Sequence, residues 1–104
     1  MLSVDKLIEL CHDKTIAITK HARHRLVERD ISIDNVQFAI RHGEIIKQYN
    51  DDKPFPSCLI LGKIESNKPI HVVVSTDNEY LYIITAYYPD SNEWDANLKT
   101  RKGK

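Results

Sequence analysis

Between Lys20 and Arg29 the chain reads Lys-His-Ala-Arg-His-Arg-Leu-Val-Glu-Arg, a cluster of imidazoles and cations with Glu28 as its single carboxylate. On a helix that turns ~100° per residue, His21, Arg25 and Arg29 fall in a stripe ~80° wide, beside the apolar pair Ala22 and Leu26. A solvated helix face needs charge, but it does not need an imidazole and two guanidiniums in one file along its buried edge. That combination suits a phosphate. The planar guanidinium fork binds two phosphate oxygens at once, and an imidazole can move a proton near neutral pH.

His71 is the second candidate. Within Ile70-His71-Val72-Val73-Val74-Ser75, strand alternation turns Ile70, Val72 and Val74 to one face and His71 to the other. A lone strand histidine is more simply a half-buried ring satisfied by a hydrogen bond. Here a separate His/Arg helix gives it something to meet. Tyr80, Tyr82, Tyr87 and Tyr88 load the last strand with hydroxyls, although packing alone explains most of them. Two registers are open. A two-residue Asp77-Asn78 turn sets Ser75 opposite Tyr80 and His71 opposite Ile84, with Tyr82 on the histidine's face; a bulged, odd-length turn sets His71 opposite Thr85, with Tyr87 near.

Other chemistries lack their residues. His21 and His24 stand three apart and could ligate a metal with His12, Cys58 or His71, but no HxxxH, HExxH or CxxC accompanies them and Arg23 and Arg25 repel a cation. There is no GxSxG, GxxxxGK[ST] or GxGxxG, and with three glycines in the chain a phosphate-cradling loop is not expected. Cys11 and Cys58 belong to no paired motif and read as reduced, buried thiols. His12 and His42 lie near helix ends, where a protonated ring favours the dipole.

The elements that must hold these groups fit a single compact unit, since 104 residues with 41% hydrophobic content suffice for one modest core. Ser3 caps a short helix through about His12, and Thr15–Ile18 is an edge strand or extended link. Thr19 caps the basic helix, and Asp30-Ile31-Ser32 ends it and starts another that stops at Gly43. Strand periodicity then takes over in 44–49, 57–64, 70–76 and 80–88, separated by turn-rich segments. This predicts an α+β domain over 1–98, with N-terminal helices packed on one face of a four-stranded antiparallel sheet, Trp94 pinning the turn after Pro89, and a flexible basic tail over 99–104. A formal net charge of zero argues against indiscriminate coating of nucleic acid. No signal-peptide pattern or membrane-length apolar run is present, so a cytoplasmic location is expected.

Taken together, Thr19-Lys20-His21-Ala22-Arg23 with Arg25 and Glu28-Arg29, Ile31-Ser32, Pro56 to Gly62, Pro69 to Val73, and Ile84 to Asp90 resemble the uncharacterised bacterial domain family numbered 4258. The blocks keep the family's order and cover roughly residues 15–95. The resemblance implies a RelE-like fold, in the wider group that includes barnase, and a toxin of a toxin–antitoxin pair that cleaves RNA without metal or cofactor. It places the polar site at His21, Arg25, Arg29, His71 and the Thr85/Tyr87 pair. One departure is Asp30, where the family commonly has glycine.

The chemistry of the residues agrees. A base takes the ribose 2′-hydroxyl proton, the oxygen attacks the adjacent phosphorus, and an acid protonates the leaving 5′-oxygen. His71 and His21 are expected to share those roles. Arg25 and Arg29 are expected to clamp the charge that builds on the non-bridging oxygens. Tyr87 joins the catalytic group, while Lys20, Arg23 and Thr85 are expected to contact the RNA. The expected partners are RNA, a protein antitoxin, the ribosome and, in a homo-oligomer, a second copy; a further reading is a small regulatory partner that dimerises through a sheet edge. The alternative is a catalytically inactive adapter that uses the same groove to bind RNA or protein.

Overall fold

The computed structural model describes residues 1–102. Three helices, α1 (Val4–Glu9), α2 (Lys20–Glu28) and α3 (Ile33–Arg41), precede four of the five strands: β1 (Ile16–Ile18), β2 (Glu44–Tyr49), β3 (Ser57–Lys63), β4 (Pro69–Thr76) and β5 (Leu81–Tyr87). All three caps are the hydroxyls expected. Ser3, Thr19 and Ser32 accept from Lys6, Ala22 and Asn35 backbone N–H groups, and Asn35 returns a bond to Ser32 to complete a capping box. The α2 end is a Schellman turn. Asp30, at φ 56, occupies the left-handed position, and the Asp30 and Ile31 N–H groups bond the Val27 and Leu26 carbonyls at 3.1 and 2.9 Å.

The sheet corrects the expectation of four antiparallel strands. Its order is β1-β5-β4-β3-β2, with β1 parallel to β5 and the other neighbours antiparallel. A three-residue strand is too short to show a period, and no turn announces a parallel pairing between distant segments. Leu7, Leu26, Val36, Ala39 and Ile40 of the helices bury one sheet face, meeting Cys58, Ile60, Ile70, Val72, Val74, Leu81, Ile83 and Ala86. Cys11 and Cys58 are both buried and free. No helix among the described residues is long and apolar enough to cross a membrane.

Two bulges shape the other face. In β5 the register shifts between Val73 and Val74, so Ile84 is an extra residue: Leu81 and Ile83 point to the helices, yet beyond the bulge Thr85 and Tyr87 point away from them. The shift between Ile45 and Lys47 does the same in β2, leaving Ile45 on the core face and turning Lys47 and Tyr49 outward. His71 lies opposite Tyr87, and Ser75 opposite Tyr82. Both registers read from the sequence are therefore corrected. The β4–β5 turn is longer than two residues because Thr76 and Asp77 organise it, binding Asn78, Glu79 and Tyr80 backbone groups.

After β5 the chain folds back over this outer face as a small hairpin. Trp94 pairs with Arg101, Asp95 N–H bonds Thr100 O at 2.8 Å, and Lys102 N–H bonds Glu93 O at 2.8 Å. Of the tail expected over 99–104, Lys99 to Lys102 form the return arm of the hairpin, and the last two residues lie outside those described.

Candidate active site on the outer sheet face

The outer face is organised around His71, which is 0% exposed although it points away from the main core. Trp94 covers it edge-on, with ring centroids 4.4 Å apart and planes at 86°. Its ring nitrogens both have partners: Nε2 lies 2.8 Å from the Leu98 carbonyl and Nδ1 lies 3.2 Å from the Tyr87 hydroxyl. A carbonyl only accepts, so Nε2 carries the hydrogen of the neutral ring and Nδ1 presents its lone pair to the Tyr87 O–H, which donates. Burial pushes the His71 pKa below its ordinary value, and the Leu98 carbonyl opposes that only in part. The ring is neutral at pH 7.

Tyr87 is the half-exposed member of the pair. Burial raises its pKa, Tyr49 and Glu93 raise it further, and the Arg101 and Arg29 cations pull it down. Arg29 reaches this group from the end of α2. Since β1 stops opposite Ile83, the β5 edge beyond it is open. Arg29 fastens there, donating from Nη1 to Thr85 Oγ1 at 3.0 Å and to the Ala86 carbonyl at 2.9 Å.

Beside Tyr87 is a hollow of about 570 Å³, lined by Lys47, Tyr49, Leu59, Tyr87, Trp94, Lys99, Thr100 and Arg101. No carboxylate lines it. Leu59 at its floor is buried although it lies outside the helix-facing core cluster, so the hairpin creates a second, smaller apolar cluster. Lys99 is paired with Glu44 at 2.6 Å; Arg101 lies 3.8 Å from Glu93 and 5.3 Å over the Trp94 ring. A larger hollow of about 710 Å³ passes the end of α3; its lining mixes Glu44 and Glu65 with Lys63, and no expected site residue reaches it.

Four of the expected site residues thus converge: His71, Tyr87, Arg29 and Thr85. Lys20, His21, Arg23 and Arg25 remain exposed along α2, with no hydrogen bond to this group among the described residues. A shared hollow for His71, Arg25 and Arg29 is not what the fold builds, and His71 is fully buried with Tyr87 as its half-exposed partner. Lys47, Tyr49 and Arg101 were not singled out from the sequence. Bulges decide the facing of the first two, and the basic run holding Arg101 carries no periodicity to announce a hairpin.

A family model described as "Domain of unknown function (DUF4258)" matches residues 18–88, more than half of the chain. No curated protein matches. No solved structure matches either.

Proposed function

The chain belongs to the family described as domain of unknown function DUF4258, and from that premise together with the outer-face site we propose that it is a RelE-like, toxin-type endoribonuclease. The observation that carries the reading is the directed hydrogen bond from Tyr87 to a buried, neutral His71, set beside a hollow lined by cations and aromatic rings.

The phenol is the group that meets substrate. As the ribose 2′-hydroxyl attacks phosphorus, Tyr87 Oη takes its proton and passes its own to His71 Nδ1. The imidazolium so formed keeps its Nε2–H bond to the Leu98 carbonyl, which stabilises the positive charge. The new bond is O2′–P and the broken bond is P–O5′. The products are a 2′,3′-cyclic phosphate and a 5′-hydroxyl, whose proton comes from water. Arg29 faces the non-bridging oxygens with a delocalised charge suited to the transition state. His71 is in this scheme the proton acceptor behind the catalytic residue.

Single-stranded RNA incubated with the purified chain tests this. Cleavage should leave cyclic phosphate ends, and Tyr87→Phe should cut the rate by ~10²–10⁴ while RNA is still bound. Induced expression should arrest growth, with relief by the same substitution and by a protein antitoxin; ribosomes in the assay would show whether translating RNA is the target. The complete burial of His71 favours a second reading, an adapter that binds RNA without cutting it. Salt-dependent binding with no cleavage by the wild type would select it.

A further inference from the structure

We propose that Arg101 and Lys47 form a second phosphate-binding subsite across Tyr87 from Arg29, so that the ligand is one single strand of RNA laid over the outer sheet face. The proposal rests on the reading of this face as an RNA site and specifies which nucleic acid it takes and its path across the sheet. Arg29 stands on the open edge of β5, on the β1 side. Arg101 and Lys47 stand on the opposite side of Tyr87, on the hairpin and on β2. The phenol therefore lies between two cationic positions. In a nucleic acid strand every ribose lies between phosphates, and a dinucleotide carries two riboses between its flanking phosphates. A strand bound at both positions brings a 2′-hydroxyl over Tyr87.

The dimensions agree. From β5 to β2 is three strand spacings, ~14 Å across the sheet, the reach of a dinucleotide with its flanking phosphates. Tyr49 and Tyr87 offer ring faces for bases along that path. Lys47 has no carboxylate partner among the described residues and hangs 5.5 Å over the Tyr49 ring, and Arg101 lies 5.3 Å over the Trp94 ring with a loose 3.8 Å contact to Glu93, so neither cation is held in a close ion pair. A single strand suits this face better than a duplex: the rings lining the hollow of about 570 Å³ can stack only on unpaired bases, whereas A-form RNA presents a rigid cylinder with its bases paired. Both new cations are exposed, and Arg101 lies beyond the matched residues 18–88.

A 2′-deoxy oligonucleotide separates this subsite from the cleavage chemistry, because it lacks the attacking hydroxyl. Trp94 is the chain's single tryptophan and lines the hollow, so its fluorescence reports binding at the place in question. The wild type should bind the single-stranded probe on the order of tenfold more tightly than its duplex. Arg101→Ala and Lys47→Glu should each weaken binding by on the order of tenfold, and each should lower the slope of log affinity against log salt by about 0.7. Lys47→Glu leaves the hairpin untouched, so its effect is independent of any loosening caused at Arg101. Unchanged affinity and slope in both variants, equal binding of duplex, or no binding at low salt would each overturn the proposal. If the deoxy probe binds as expected but the ribose version is not cut, the nuclease reading fails and the subsite stands; cutting that ignores both substitutions does the reverse.

Discussion

The Tyr87 hydroxyl donates to Nδ1 of His71 directly across the β4–β5 ladder, and the Leu98 carbonyl, arriving from the hairpin on the other side of the ring, fixes which nitrogen is free to accept. Protonating His71 on Nδ1 therefore reverses that bond, the ring now donating to Tyr87 Oη, and charges a ring sealed under Trp94. Its pKa is held down by burial. The unfolded chain binds this proton more readily than the folded one, so the stability contributed by the neutral ring is complete above the ordinary value of 6.5 and is lost as pH falls from there through the depressed folded value. Urea unfolding followed by Trp94 fluorescence should show stability falling with pH over that window. In His71→Asn the fall should be shallower, because the exposed His12, His21, His24 and His42 are common to both proteins.

Arg29 joins helix to sheet at the same place where it faces the site. Arg29→Ala should remove both bonds to the β5 edge and lower stability by about 1 kcal/mol, a modest loss because the side chain is half-exposed and water replaces part of what is lost. Arg29→Lys keeps the charge but not the planar fork. A cleavage assay beside a thermal melt separates the two functions: Lys should recover most of the binding affinity of the wild type and little of its rate.

Asp30 carries a side chain at a backbone position where glycine costs nothing. With φ at 56 it closes the Schellman turn at the end of α2, and an L-residue there carries steric strain that glycine lacks. Asp30→Gly should raise stability by about 0.5–1 kcal/mol, measured by chemical denaturation, since relief of strain exceeds the added freedom of the unfolded chain. Removing the carboxylate next to Arg29 should also tighten RNA binding at low salt.

What the sequence made legible was whatever a few neighbouring residues decide. Ser3, Thr19 and Ser32 announced three helices because a cap is a local event, and the alternation of Ile70, Val72 and Val74 placed His71 on the opposite face. The bulged register read from the sequence sets His71 opposite Thr85 with Tyr87 near; the extra residue Ile84 instead brings Tyr87 directly opposite His71. A bulge is set by pairing across strands, which no single segment encodes. The burial of His71 depended on Trp94 and Leu98 returning from beyond Pro89, a contact between distant parts of the chain. Thr15–Ile18 was legible as an edge strand or extended link, and β1 is an edge strand; its parallel pairing with β5 is the part that no local signal carries.

Gly62 tests how tightly the helical layer sets the sheet that carries the site. It lies on the core face of β3, and a Cβ there would come within 2.9 Å of the Ala39 Cα and carbonyl carbon on α3, as well as meeting the Ala39 carbonyl oxygen. All three are backbone atoms, so the helix as a whole must lift. Gly62→Ala should cost about 1–3 kcal/mol by the ordinary penalty for overfilling a packed interior. Ala39→Gly in the same chain should not restore it, because the atoms struck remain. A melting temperature for the single and double variants decides the point: rescue by Ala39→Gly would show that side-chain crowding, and not the approach of the two backbones, holds α3 at its distance from β3.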